Sequence, residues 1–291
     1  MNLDSMQEIL DAARKDGKPM WLVVMEADME QRGVTREQSM DKMRQAWHAM
    51  MDAADNYDGS RRSRSGLVGG QGQKMKEYAK RGKTIGGDFT AQVMAEALAM
   101  GESNAGMCRI VAAPTAGACG VMPAVLVPLF RQGKHTEEQV LQAMFVASGI
   151  GAVVAYRACI AGAAGGCQAE IGTASAMAAG ALVSLRGGGV EQICHAVAMA
   201  LKNLLGLVCD PVAGLVEVPC VKRNVIGAMN AIAAADMALA GIESRIPVDE
   251  VIDTMGDVGR HLPVEFRETA LGGLAVTPTG RAAKEQLRGK K

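Results

Sequence analysis

Apolar residues along this chain recur with a helical period. Met40, Met43, Trp47, Met50, Met51 and Ala54 fall mostly three and four apart, along one side of a helix. "TREQ" (35–38) marks the start, with a threonine to accept the third amide and a glutamine three residues on to answer it. "TEEQ" (136–139) repeats that signal ahead of an apolar stretch reaching about Arg157. The same spacing predicts helices near 4–15, 88–100, 121–131, 171–185, 190–205, 221–241, 248–260 and 279–288. Only "WLVVM" (21–25) has a strand's composition, and it suits one turn of buried helix equally well.

Between these segments lie glycine-rich joints: "SGLVGGQGQK" (65–74), "APTAGACG" (113–120) and "AGAAGGCQAEIG" (161–172), with "LVCDPVAGLVEVPC" (207–220) as a fourth irregular stretch. Glycine there lets backbone approach a ligand, or simply lets helices pack closely. No 20–50-residue repeat and no low-complexity tract interrupts the pattern. The expected fold is all-α. A single helical domain spans 60–291, with buried Ala-, Gly- and Met-rich helices and Gly-rich connecting loops, behind a helical lead-in over 1–59.

Composition supports helices and narrows the partners. Aromatics are 3% of 291 residues while methionine reaches 20. Lys+Arg and Asp+Glu both number 31, so no global field draws nucleic acid or an anionic membrane. The basic stretches "RRSR" (61–64) and "RAAKEQLRGKK" (281–291) lack interleaved aromatics and read as solvated surface. Two uncharged runs, 110–130 and 139–156, have the length of a membrane span, but the first holds three prolines and no aromatic belt flanks either. Helices buried inside a soluble protein explain them better. The first residues carry acids and no apolar h-region, so the expected location is the cytoplasm.

Seven cysteines, an odd number in a reducing compartment, argue against a disulfide framework. Cys108, Cys159 and Cys194 sit in apolar stretches and read as core thiols, while Cys119 lies inside a loop of functional character. Cys167, Cys209 and Cys220 differ: each stands at a helix edge beside Gly, Asp-Pro or Pro, where the chain can aim sulfur at a common point. Three thiolates on irregular backbone suit zinc, copper(I) or an iron–sulfur cluster, and spacing alone does not choose among them.

"SGLVGG" (65–70), "APTAGACGVMPAVL" (113–126), "GCQAEIGTASAMAAGAL" (166–182) and "CDPVAGLVEVPCVKRN" (209–224) closely resemble signature stretches of the iron–sulfur-dependent L-serine dehydratases, α chain of the two-chain form. The resemblance covers roughly residues 60–240. It implies a 4Fe-4S cluster held by Cys167, Cys209 and Cys220, and conversion of L-serine to pyruvate and ammonia without pyridoxal phosphate. It also implies a helical catalytic domain and a separate β chain, because the Ser-rich segment of single-chain members has no counterpart here. Such members end in a cysteine, whereas this sequence has none after Cys220, so one iron is expected to stay open and act as Lewis acid on the substrate hydroxyl. Ala169 stands where many members have glycine, a change expected to be tolerated.

The base is not fixed by sequence. Thr115 is a candidate to orient substrate or relay a proton, against the plainer role of helix N-cap. Lys222, with Arg223 and Asn224 beside it, is placed to meet a carboxylate or amino group. Successive amides around Ser65, Gly66, Gly69 and Gly70 have the makings of an anion nest, and Gly117 belongs to the Thr115 loop. His195 lies in an apolar helix and reads as a satisfied core histidine; His48 and His135 read as exposed. A histidine from the β chain is the rival base. Other readings are L-cysteine desulfidase, a zinc-stabilised structural protein, an electron carrier and a membrane carrier.

Overall fold

Both threonine signals become helix starts in the computed structural model, which describes residues 4–289. Thr35 Oγ1 accepts the Gln38 amide at 3.2 Å while Gln38 Oε1 accepts the Thr35 amide at 2.9 Å. Thr136 and Gln139 reproduce the exchange at 3.3 and 2.9 Å. The first layer is α1 (Met6–Asp16), α2 (Met20–Arg32) and α3 (Arg36–Asp55). "WLVVM" lies inside α2, with Val23, Val24 and Met25 buried, so the strand option fails against a longer helix closed by left-handed Gly33.

Then follow α4 (Gln71–Lys80), α5 (Gly87–Ala105), α6 (Val121–Arg131), α7 (Glu137–Arg157), the single turn α8 (Gly162–Gly165) and α9 (Thr173–Leu185). The last four are α10 (Val190–Lys202), α11 (Cys220–Leu239), α12 (Val248–His261) and α13 (Pro278–Gly289). Of these, α4 and the single turn α8 were not expected from the sequence pattern. No strand occurs among the described residues, only an isolated parallel bridge between Cys209 and Arg267. The fold is all-α.

Helix α9 is the axle. Every residue of it except Ser184 is buried, as an apolar helix without a polar face requires. Helices α7, α10 and α11 pack around it. Small residues set how closely they come: a Cβ on Gly180 would stand 2.2 Å from Ile150 Cδ1, and one on Gly149 would stand 2.5 Å from Val24 Cγ2. Met6, Ile9, Val24 and Trp47 of the lead-in join the same core. The uncharged run 110–130 is broken, since α6 begins only at Val121. Helix α7 has the length and apolarity to cross a membrane, yet Val140, Leu141, Ile150 and Val153 are wholly buried within the chain.

One buried charge has no full partner. Glu96, on α5, is 3% exposed; its Oε1 has no hydrogen bond and Oε2 lies 3.7 Å from Arg131 Nη1. Burial raises its pKa, with Lys76 and Arg131 pulling the other way. A raised carboxyl pKa means the folded chain holds the proton more tightly than the unfolded one. Stability is therefore lost as pH climbs from the unfolded value near 4.5 through the higher folded value. Glu96→Gln removes that loss, so its gain in urea midpoint over the parent should grow as pH rises above 4.5. An offset independent of pH would contradict the assignment.

Candidate metal centre

Three irregular segments meet at the start of α11. Cys167 precedes a π-helical turn (Gln168–Gly172), and Cys220 is the first residue of α11. Cys209 is fixed through its backbone: its amide donates to Phe266 O at 2.8 Å and its carbonyl accepts the Glu268 amide at 2.9 Å. Gln168 stitches the first two segments together. Its amide donates to Leu207 O at 3.0 Å, and its side-chain oxygen accepts the Gly206 amide at 2.9 Å. Ala169 beside it is fully buried.

The three thiols share one electrostatic environment. Cys167 and Cys209 are each 3% exposed, and Cys220 is half-buried. Burial pushes Cys167 up to about 11 and Cys220 up to about 12, and raises Cys209 as well. Cys209 feels the charges of Cys167 and Cys220, and Cys220 feels that of Cys167. Arg223, with the Ile171 amide, works in the opposite direction on Cys167. Thiolates here need a positive partner, which is what a soft metal centre supplies.

Arg223 is the cation of the site. Nη1 donates to Val208 O at 2.7 Å and Nη2 to Asp210 Oδ1 at 2.8 Å, and its guanidinium hydrogen-bonds the Cys167 thiol. Asp210 Oδ2 accepts the Leu274 amide at 2.8 Å, so the 262–277 segment is strapped to the cysteine loop. From Cys220, a helix turn brings positions three and four onward back to the same side, namely Arg223 and Asn224. Position two, Lys222, faces solvent. Arg223, not Lys222, is the cation turned toward the thiols.

Asn224 is buried and hydrogen-bonded at both ends of its amide. Its Oδ1 accepts the Gly120 amide at 2.8 Å, while Nδ2 donates to Gly117 O at 2.9 Å and Cys220 O at 3.0 Å. It braces the 113–120 loop against α11, with both Nδ2 hydrogens committed to backbone carbonyls. Thr115 heads a 3₁₀ turn without capping it; its hydroxyl donates instead to Glu170 Oε1 at 2.6 Å. Gly117 backs the same carboxylate, since a Cβ there would lie 3.2 Å from Oε1.

An anion nest does form next to the 65–70 loop, but the chain fills it. The Gln71 and Gly72 amides at the head of α4 donate to the Glu102 carboxylate at 2.7 and 3.2 Å, and Tyr57 OH joins at 2.5 Å. Ser65 Oγ donates to Glu217 Oε2, as does Ser63 Oγ at 2.8 Å. Gly66, Gly69 and Gly70 all take positive φ, with Gly69 pressed on Arg61. The loop thus locks onto the stretch between Cys209 and Cys220 through Glu217.

The other candidates lie apart. His195 Nδ1 accepts the Ser244 amide at 3.2 Å and, with Cys194, lines a cleft that none of the three thiols lines. His48 pairs with Glu137 at 3.0 Å. His135 is only partly exposed, its Nε2 buried. Cys119 is buried, its Sγ 3.7 Å from Met100 O.

The family described as Serine dehydratase alpha chain matches residues 15–275. The chain belongs to this family. Among its relatives is "Probable L-serine dehydratase, alpha chain" of Bacillus subtilis, 46% identical over 98% of this chain and 95% of that protein. "L-serine dehydratase, alpha chain" of Peptoniphilus asaccharolyticus is 44% identical over 98% of each. "L-serine dehydratase 1" of Escherichia coli is 46% identical over 62% of this chain but only 40% of its own length.

Among the described residues, no three His, Cys, Asp or Glu side chains stand where they could hold a single metal ion. The thiols sense one another's charge, and as soft donors they are the ligand type that zinc, copper(I) or an iron–sulfur cluster takes. Gly162 keeps that space clear: a Cβ there would lie 3.1 Å from Cys209 Sγ.

Proposed function

We propose that this chain is the catalytic α subunit of an L-serine dehydratase, which converts L-serine to pyruvate and ammonia in the cytoplasm without pyridoxal phosphate. The observation that carries the proposal is the near full-length match to two relatives named as α chains, with three thiols drawn together at one helix start. Cys167, Cys209 and Cys220 would hold a 4Fe-4S cluster. When bound, such a cluster with one iron free of protein ligands supplies a Lewis acid to the departing hydroxyl.

The chain's own groups do the rest. Arg223 fixes Cys167 and offsets the negative charge gathered around it. Asn224 and Glu217 hold the two flanking loops on the thiol segments. Among the described residues, no histidine hydrogen-bonds to a residue of this site. That supports an acid–base group supplied by a separate β chain, the partner that the α-chain relatives' names imply.

The test is serine turnover. Protein reconstituted anaerobically with iron and sulfide, together with its β partner, should be brown, bleach in air and release pyruvate from L-serine. L-cysteine in the same assay is expected to be the poorer substrate. Pyruvate release that persists after complete removal of iron would overturn the proposal.

A further inference from the structure

Charge around the three thiols is lopsided. Arg223 is committed to Asp210, Val208 and Cys167, and Lys222 faces water. Glu170, three residues past Cys167 in the π-helical turn, has no such partner. Thr115 is its one hydrogen-bond donor among the described residues, and no Lys, Arg or His forms an ion pair with it. Its nearest charged influence is a second carboxylate, Glu268. A carboxylate drawn out of water without a cation is costly, so the place favours a positively charged group.

The carboxylate also has an open side. Oε1 is taken by Thr115, whereas Oε2 accepts no hydrogen bond among the described residues. A Cβ on Gly162 would lie 2.8 Å from that Oε2, 3.1 Å from Cys209 Sγ and 3.2 Å from Glu268 Oε2. Seen from this one glycine, Oε2 and the thiol are within about 6 Å of each other, across space that any larger side chain would fill. A small ligand held at the thiol centre therefore meets Glu170 Oε2 within its own length.

We propose that Glu170 receives the α-ammonium of the amino-acid substrate through Oε2, with Thr115 fixing Oε1 and Glu268 adding a second negative charge. This rests on the L-serine dehydratase assignment above and deepens it. Glu170 then becomes the residue that separates an amino acid from the hydroxy acid of the same skeleton, because 2,3-dihydroxypropanoate has the carboxylate and β-hydroxyl but no ammonium.

The experiment compares the two ligands on the iron-loaded complex with its β partner. Glu170→Gln keeps the size of the group and an acceptor for Thr115 while removing the charge. KM for L-serine should rise about 30-fold, the scale of one lost charge-assisted hydrogen bond, and Ki for 2,3-dihydroxypropanoate should move by less than about threefold. Titration calorimetry with L-alanine, which has the ammonium but no leaving hydroxyl, should show the same weakening without turnover. A purely bracing role for Glu170 would shift all three ligands together; that result, or no shift in any, overturns the inference. If Glu170→Gln loses iron, Thr115→Val makes the same comparison with the charge retained, and an unchanged serine-to-dihydroxypropanoate ratio counts against the inference. Failure of the unaltered complex to turn over serine strikes the parent assignment, and this inference falls with it. Normal parental turnover with an unchanged variant ratio strikes Glu170 alone.

Discussion

Cys167→Ala, Cys209→Ala and Cys220→Ala are each expected to purify anaerobically with almost no iron and no measurable serine turnover, while Cys194→Ala retains both. The contrast follows from placement. The first three thiols feel one another's charge and are raised by burial, so as thiolates they are tolerable only beside a metal's positive charge. Cys194 is also raised to about 12 by burial, but its neighbours are Asp249, Glu191 and Arg14, well away from the site. A three-point clamp that loses one point leaves two ligands, too few to retain a cluster against dilution. Iron per chain and the visible absorbance of each variant measure the outcome. Full iron retention in any one of the three would remove that residue from the ligand set.

The helices were legible where their signals are local. The boxes at Thr35 and Thr136 each close within four residues, and both helices run to the expected ends. Helix α4 escaped because its start has no local side-chain cap; the carboxylate that satisfies its first amides, Glu102, lies 31 residues further on. For the same reason the amides that cradle a carboxylate were placed at 65–70, one step before Gln71 and Gly72, which hold Glu102. The outward position of Lys222 is legible in the helical phase from Cys220, which separates it from Arg223. Glu170 was also within reach, three residues past Cys167, but its meaning depends on Thr115, Gly117 and Gly162 arriving from other loops. Nothing near Cys209 in sequence announces the strap that brings Phe266, Glu268 and Leu274 onto it.

That strap leads to the second large effect: Arg223→Leu should lower the unfolding free energy of the iron-free chain by about 3–5 kcal/mol, the usual cost of stranding one charge of a buried pair. Asp210 is 4% exposed and Arg223 9%, and their 2.8 Å bond is the only ion pair Asp210 makes among the described residues. With the guanidinium gone, Asp210 retains only the Leu274 amide, and Val208 O loses its donor. Lysine should rescue little. Its single ammonium carries the charge but cannot reproduce a planar fork that reaches Val208, Asp210 and Cys167 together. The double variant Asp210→Asn/Arg223→Leu should recover a substantial part of the loss, because it removes the stranded charge along with its partner. Iron retention should not recover in parallel, since Cys167 still lacks the one cation that works against its burial. Urea unfolding of the four proteins with iron content measured alongside separates the two effects. Equal stability of Arg223→Leu and the parent would mean that the pair is not buried in solution, while iron returning with the double variant would confine Arg223 to a structural role.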